Sequence, residues 1–174
     1  MKGVILYTSK YGATKRYAEW LAEETGFDRV ETKEAKIDAV KQYDTLVLGG
    51  GVYASAIAGL AFLKKNIGQL RGKKIIVFCD GASPYDEAAF RQLVARNLKG
   101  ELAGIPCFYC RGAWDLNKMN FADKTLCKML LKSVEKKKPE ECEVWEKALR
   151  EAGENKVDWT DKSYLVPILE EIRK

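Results

Sequence analysis

The sequence predicts an α/β protein with a doubly wound, five-stranded parallel sheet in the order 2-1-3-4-5. Short apolar runs without polar alternation predict strands that are covered on both faces. Segments of helical period follow these runs in turn, which is typical of the crossovers in a parallel sheet. The chain has 174 residues, of which 47% are hydrophobic, enough for one buried core and too few for two ordinary domains. We therefore expect residues 1–174 to form a single domain.

The N-terminal half contains three predicted strands and two helices. The first strand, Gly3–Thr8, is an apolar run bounded by turn residues, and apolar residues recur at helical spacing from Thr14 onward. The segments that follow are a weak strand candidate at 30–32, a strand at 44–48 that enters three consecutive glycines, and a helix at 56–66 that ends at Gly68.

The C-terminal half predicts two more strands, a helix between them and a helical insertion after them. The segments, in order, are a strand at 74–79, a helix with Phe90, Leu93, Val94 and Asn97 on one face, a strand at 105–110, the insertion at about 113–153, and a last helix near 164–172.

The chain contains no histidine. This excludes Ser-His-Asp and Cys-His nucleophile pairs and every His-ligated zinc site. An enzyme with so few acid–base groups is expected to take its reactivity from a cofactor that the protein binds and orients. The five cysteines are odd in number and no secretory signal precedes them, so we expect reduced thiols and no disulfide.

Two of the cysteines, Cys107 and Cys110, have the C-x-x-C spacing of metal and redox sites. On a strand, residues three apart point to opposite faces of the sheet, so the two sulfurs would diverge. A thioredoxin-type pair also lies at the start of a helix, and the chain has no second C-x-x-C. We therefore predict buried structural thiols and no metal site.

The segment between the first strand and the first helix carries the strongest functional signal. A doubly wound sheet binds ligands outside the carboxyl ends of its strands, and a helix N-terminus offers unpaired N–H groups to a phosphate. Three hydroxyls add donors, and a glycine allows the backbone to approach a phosphate oxygen closely. The alternative is that these residues only cap the helix. The candidate phosphate-binding residues are Thr8, Ser9, Lys10, Tyr11, Gly12, Ala13 and Thr14.

This segment resembles the FMN-phosphate signature of flavodoxins, T/S-x-x-G-x-T, and lies where that family has it. Segment 49–54 (GGGVYA), after the third strand, resembles the isoalloxazine loop of flavodoxin-domain proteins related to menaquinone-dependent protoporphyrinogen IX dehydrogenase. Segments 111–113, 118–132 and 157–160 are similar to the insertion and tail of that subgroup. The resemblance spans nearly the whole chain, and its phosphate loop is the part specific to flavodoxins.

The resemblance implies a flavodoxin-like fold and FMN as the cofactor. By the same resemblance, residues 8–14 would hold the phosphate, and two further segments would flank the flavin ring. Tyr53 could instead be an ordinary loop aromatic, and Asp80 could simply cap the next helix. We assign no catalytic residue. The residues implied on one side of the flavin are Gly50, Gly51, Val52, Tyr53 and Ala54, and those on the other are Asp80, Gly81, Ala82 and Ser83.

The glycine-rich segment also satisfies a second pattern. Gly49, Gly51 and Ala54 have the G-x-G-x-x-A spacing of dinucleotide-binding loops, and Asp80 ends the next strand. That fingerprint normally lies in the first βα unit of the sheet, however, and this interpretation leaves the segment 8–14 without a role. We therefore rank NAD binding below FMN binding.

The insertion contains a basic amphipathic segment. Residues 115–138 hold seven lysines and three acidic residues, while the net charge of the whole chain is +5. Apolar residues recur there at helical spacing, and Lys124, Lys128 and Lys132 form a separate stripe. Such a helix lies weakly on an anionic membrane surface, or it packs on its own domain or on a second subunit of a homodimer. The apolar positions are Met119, Ala122, Leu126, Met129, Leu130 and Val134.

The first functional hypothesis is an FMN-dependent oxidoreductase that passes electrons from an organic reductant to a quinone or another acceptor. By the resemblance, the reductant would be protoporphyrinogen IX. The alternatives are a flavodoxin electron carrier without its own substrate, and a flavin-free binding module. Carriers of this family are strongly acidic and this chain is basic, which favours the enzyme. We expect a cytoplasmic protein, peripheral to the inner face of the membrane if the basic helix binds there, with no nucleic-acid partner.

Overall fold

The computed structural model describes residues 2–174 and contains a five-stranded parallel sheet with one short antiparallel strand added to it. The strands of this sheet are β1 (Gly3–Thr8), β2 (Asp28–Glu31), β3 (Thr45–Tyr53), β4 (Ala56–Ile57), β5 (Lys74–Gly81) and β6 (Cys107–Arg111). The helices are α1 (Ala13–Thr25), α2 (Ile37–Val40), α3 (Leu60–Asn66), α4 (Glu87–Asn97), α5 (Phe121–Glu135), α6 (Val144–Ala152) and α7 (Val166–Arg173).

The five parallel strands lie in the order β2-β1-β3-β5-β6, which confirms the predicted order. β3 is the central strand and pairs with β1 on one side and with β5 on the other. Because the strands are parallel, their carboxyl ends meet at one edge of the sheet. The segments that follow β1, β3 and β5, which contain the predicted site residues, therefore lie along the same edge.

Both faces of the sheet are covered, as the uninterrupted apolar runs predicted. On one face Leu6, Leu48 and Val77 pack against α3 and α4. On the other face Ile5 and Phe78 pack against α1 and α7. The predicted apolar face of α4 is confirmed as well, since its Phe90, Leu93 and Val94 contact the first cluster and its Asn97 is buried.

The three consecutive glycines correct the predicted third strand. We expected the strand to end at residue 48 and the glycines to form a loop, but β3 continues through Gly49, Gly50 and Gly51 to Tyr53. The strand needs these glycines for close packing: a Cβ at Gly49 would overlap the ring of Phe78, and one at Gly50 would overlap the carbonyl of Ala58.

The segment after β3 is also different from the prediction. Residues 56–66 were expected to form one helix, but β4 pairs antiparallel with the end of β3 and α3 starts only at Leu60. Ala54 and Ser55 form the two-residue turn of this hairpin, and both have positive φ angles, 47° and 63°. Such turns usually contain asparagine and glycine, so apolar and polar sequence periodicity gave no signal of this one.

The insertion carries a small sheet of its own. β7 (Ala113–Trp114) and β8 (Val157–Asp158) pair antiparallel, and the chain between them contains α5 and α6. Trp114, Leu116 and Ala152 form a separate buried cluster, and Ala82 from the end of β5 packs against it. The insertion is therefore joined to the main sheet next to the predicted flavin segments. No helix within residues 2–174 is long and apolar enough to cross a membrane.

The close packing at β3 predicts the effect of adding one methyl group. Gly49→Ala should lower the free energy of unfolding by about 1–3 kcal/mol, because the new Cβ forces the buried Phe78 ring to move. Gly68→Ala is the matched control, since a Cβ there has no neighbour within 4 Å. Urea unfolding of the two variants checks this, and equal stabilities would contradict the packing role of Gly49.

Candidate functional site

The loop between β1 and α1 does not use its hydroxyls to cap the helix. The N-cap residue of α1 is Gly12, with φ 107°, and as a glycine it has no side chain to accept a hydrogen bond from the first turn. Ser9 Oγ accepts from the N–H of Gly12 itself at 3.1 Å. Thr8 lies against Gly59, and Thr14 bonds elsewhere. The capping interpretation of this segment is therefore not supported.

The start of α1 consequently offers a cradle for an anion. The first N–H groups of a helix have no partner within the helix, and no acidic residue lies in the first turn of α1. A Cβ at Gly12 would have no neighbour within 4 Å, so the space above this backbone is open. Unpaired donors, the positive end of the helix dipole and open space together fit a phosphate group.

The two long side chains of the loop point toward the insertion. Lys10 Nζ forms an ion pair with Asp123 in the first turn of α5, and the Tyr11 hydroxyl donates a hydrogen bond to the same carboxylate. The hydrogen bond from Lys10 is the largest cause of the lowered pKa of Asp123. The Tyr11 ring meets the Tyr53 ring edge-on, with centroids 6.5 Å apart. The loop 8–14 is thus held both by the insertion and by the last residue of β3.

Thr14 and Asp80 form a buried contact between the loop and the end of β5. The Thr14 hydroxyl donates to Asp80 Oδ2 at 2.6 Å, and these residues are 1% and 6% exposed. Burial raises the pKa of Asp80 to about 6, against an opposing effect of the hydrogen bond from Thr14. The Thr14 side chain was predicted to donate to the phosphate, but the structure assigns its hydroxyl to Asp80. Asp80 does not cap α4 either, because Asp86 does so.

The segment 50–54 lies at the end of β3 and in the tight turn after it. The hydroxyl of Tyr53 lies 2.7 Å from the position of a Cβ on Gly51, so the ring folds back over its own strand. Burial raises the pKa of Tyr53 to about 12. Asn97 of α4 fixes the turn by accepting from Ile57 N–H at 3.0 Å and donating to the Ser55 carbonyl at 2.9 Å. No helix follows these glycines directly, which excludes the strand-to-helix turn of an NAD fingerprint.

The second predicted flavin segment, 81–83, is held by side chains of β6. The Tyr109 hydroxyl lies 2.6 Å from the Ser83 carbonyl and 3.1 Å from the Gly81 carbonyl, and it donates to this pair. Arg111 Nε donates to the Ala82 carbonyl at 3.2 Å, and its guanidinium lies 4.1 Å from the centroid of the Trp159 ring. Sequence analysis did not assign a role to Tyr109, because the only motif around it is the C-x-x-C spacing of Cys107 and Cys110.

A cavity of about 770 Å³ opens beside these segments. Four of the predicted flavin residues, Val52, Gly81, Ala82 and Ser83, line it. The other predicted residues do not: Gly50, Gly51, Tyr53, Ala54, Asp80 and residues 8–14. The insertion supplies part of the wall through the first residues of α6, which sequence analysis did not identify. Four aromatic residues also line the cavity, and sequence analysis did not predict them as site residues: Tyr85, Phe90, Tyr109 and Trp145.

The cysteine pair behaves as strand alternation predicted. Cys107 packs in the cluster on the α3 and α4 face, and Cys110 packs in the cluster on the α1 and α7 face. All five cysteines are free thiols. Burial raises the pKa of Cys110 well above its usual value. The C-x-x-C spacing is therefore a feature of the core.

Comparison with known proteins identifies one family. A family model described as a flavodoxin domain matches residues 4–141, which is more than half of the chain. No curated protein matches the chain.

Several solved structures are similar to this chain at low sequence identity. A reduced flavodoxin from Megasphaera elsdenii is 19% identical, over 62% of this chain and 82% of that one, with a TM-score of 0.47. A flavodoxin WrbA-like protein from Agrobacterium tumefaciens is 18% identical, over 71% and 87%, with a TM-score of 0.47. A flavoprotein from Lactobacillus acidophilus, in complex with FMN, is 17% identical, over 63% and 91%, with a TM-score of 0.41.

The raised pKa of Asp80 predicts a pH dependence of stability. Between about pH 4 and pH 6 the unfolded chain releases this proton and the folded chain keeps it, so the free energy of unfolding falls as pH rises. Relative to Asp80→Asn, the wild type should lose about 3 kcal/mol across this window, because one pKa unit is worth 1.36 kcal/mol. Asparagine still accepts the Thr14 hydrogen bond.

Urea unfolding at a series of pH values measures this difference. Asp38→Asn is the control, because Asp38 is exposed and its pKa is lowered by Lys41, so its effect should be small and of opposite sign. Parallel curves for the wild type and Asp80→Asn would show that Asp80 ionises at its ordinary pKa.

Proposed function

Because this chain belongs to the flavodoxin domain family, we propose that it is an FMN-dependent oxidoreductase that delivers electrons to a quinone-type acceptor. The family supports FMN as the cofactor, as the sequence resemblance implied. When bound, FMN supplies the reversible acceptance of two electrons with their protons. The observation that carries the proposal is the uncapped start of α1, where unpaired N–H groups face open space at the carboxyl edge of the sheet.

Different segments of the chain would bind the phosphate and the ring system of FMN. The backbone around Gly12 and the Ser9 hydroxyl would hold the phosphate, while Thr14 fixes the loop to β5 through Asp80. Val52 and the loop 81–83 would flank the ring system next to the cavity. The carbonyl groups of that loop are held by Tyr109 and Arg111, so its N–H groups have a fixed direction. A fixed loop orients a cofactor at a low entropic cost.

The cavity favours an enzyme over an electron carrier. A carrier needs an exposed flavin edge and a docking surface, whereas an enzyme needs a concave site for a small substrate. A volume of about 770 Å³ is within the range of small-molecule sites. The net charge of +5 also favours an enzyme, because electron carriers of this family are strongly acidic. The electron carrier remains the second candidate function. The electron donor we propose, on the sequence resemblance alone, is protoporphyrinogen IX.

The outward face of α5 supports an acceptor held at a membrane. The predicted apolar face of this helix divides in the structure: Val134 is buried in the insertion, but Leu126 and Met129 are 56% and 64% exposed. Phe121 adds a ring that is 88% exposed. Packing on its own domain therefore accounts for only one side of the helix. Of the predicted lysine stripe, Lys132 is exposed, whereas Lys124 and Lys128 are partly buried and bond Asn117 and Glu154. On this exposed apolar face and the basic charge beside it, we propose a peripheral contact with anionic lipid on the cytoplasmic side.

The phosphate cradle predicts a preference for FMN over riboflavin. Loss of several charge-assisted hydrogen bonds, each worth roughly 1.5–3 kcal/mol, should weaken riboflavin binding at least a hundredfold. Gly12→Val should weaken FMN binding and change riboflavin binding little, because valine disfavours φ 107° and covers the cradle. Titration of flavin fluorescence with the apoprotein measures both affinities.

The control variant for this experiment is Gly72→Val. Gly72 also has a positive φ, 77°, and its Cβ position is equally open, but it precedes β5 at the opposite edge of the sheet. It should cost stability without changing the FMN dissociation constant. Equal affinities of the wild type for FMN and riboflavin would contradict the cradle.

The membrane proposal predicts weak, salt-sensitive binding to vesicles. The wild type should co-sediment with phosphatidylserine-containing vesicles at low salt, and binding should fall as salt rises, because each surface lysine contributes only about 1 kcal/mol. The triple variant with Lys124, Lys128 and Lys132 changed to Glu should bind less and reduce vesicle-held quinone more slowly. Its FMN affinity should stay the same.

A second triple variant controls for the change in net charge. Lys36, Lys64 and Lys99 are exposed, lie outside the insertion and form no ion pair among the described residues. Their change to Glu should leave vesicle binding near the wild-type level. A wild type that ignores anionic vesicles but sediments as a dimer would show that a second copy of the chain covers α5.

A further inference from the structure

The lining of the cavity contains two groups of residues with different positions in the fold. Val52 and the loop 81–83 belong to the segments that would flank the flavin. Most of the other lining residues lie in the loop before α4, on α4 itself and at the start of α6, beyond those segments. The lining of the cavity therefore extends beyond the segments that would flank the flavin.

We propose that Tyr85 and Trp145 form two aromatic walls of the acceptor site in this cavity and select planar aromatic molecules. The inference rests on the proposed function. Tyr85 precedes α4, and Trp145 lies in the first turn of α6, so the two walls come from the main domain and from the insertion. Sequence analysis did not identify either residue as a site residue, because neither lies in a segment that resembles the flavodoxin motifs.

The exposure of these rings supports the assignment. Tyr85 is 54% exposed and Trp145 is 38% exposed, although large aromatic side chains are usually well buried. Both rings border the same cavity. Tyr85 is supported from behind, since its centroid lies 5.6 Å from that of Phe90 and 6.1 Å from that of Tyr109. An aromatic face that is supported on one side and open on the other is available for stacking.

Trp145 is also held in place. Its indole Nε1 donates to Glu143 Oε2 at 2.8 Å, which fixes the ring against rotation. The second lining carboxylate, Asp86, accepts from Ala89 N–H at 2.8 Å as the cap of α4. Both carboxylates already have partners, and the lining also contains the cationic side chain of Arg96. The lining therefore fits an uncharged quinone better than a cation.

The test compares quinones of different size with the FMN-loaded protein. After anaerobic photoreduction, reoxidation by 1,4-naphthoquinone is followed by stopped flow, and the half-saturating concentration is recorded. Trp145→Ala should raise this concentration about fivefold, as expected for the loss of one stacking contact. Trp145→Phe should restore it, and p-benzoquinone, which has one ring, should respond less. Tyr85→Ala should resemble Trp145→Ala.

Two further measurements separate the possible outcomes. The FMN dissociation constant should stay within twofold of the wild type in both alanine variants, and Val166→Ala, an exposed residue of α7 outside the cavity, should change neither quantity. A raised FMN dissociation constant, with unchanged half-saturation, would show that the walls hold only the cofactor and would overturn the proposal. Equilibrium binding of 1,4-naphthoquinone by calorimetry, weakened about fivefold in Trp145→Ala, would sustain the site even if reoxidation proved slow and the proposed function failed.

Discussion

The absence of side chains at Gly49, Gly50 and Gly51 allows the carboxyl edge of the sheet to form. β3 is the central strand, and its last residues approach the Phe78 ring, the Ala58 carbonyl and the Tyr53 ring too closely for a Cβ. This packing lets β3 run on to Tyr53 and turn back at once into β4. The positions of the turn, of α3 and of one wall of the cavity all follow from it.

A single buried carboxyl group then joins two parts of this edge. Asp80 accepts the Thr14 hydrogen bond in a nearly dry environment, and no cation within residues 2–174 forms an ion pair with it. An ionised carboxylate there is costly, and the cost is the reason for its raised pKa. The same bond fixes the start of α1, which is the part of the backbone that faces the proposed phosphate. The buried Asp80 carboxyl therefore lowers the free energy of unfolding near neutral pH, while its hydrogen bond with Thr14 holds the loop in place.

The insertion contributes to the site at both of its helices. Asp123 of α5 binds Lys10 and Tyr11 of the loop 8–14, and the start of α6 supplies Trp145 to the cavity. α5 has a second, exposed apolar face that the insertion does not cover. In the proposed function, the insertion therefore contacts the membrane-held acceptor, the cavity and the cofactor loop.

The sequence by itself determined the parallel strands, the face of α4 and the position of the segment 8–14, because these depend on local period and local motifs. The strand order followed from the number of strands, because five parallel strands suit a doubly wound sheet of that order. Only the tertiary structure decided which residues meet. Thr14 and Asp80 are 66 residues apart in the chain, and Lys10 and Asp123 are 113 apart. The three glycines and the start of α6 have no special role that the local sequence indicates. Each acquires its role from contacts with residues that are distant in the sequence. Local periodicity contains no information about that neighbour, so the strand end at Tyr53, the outward face of α5 and the wall at Trp145 could not be predicted.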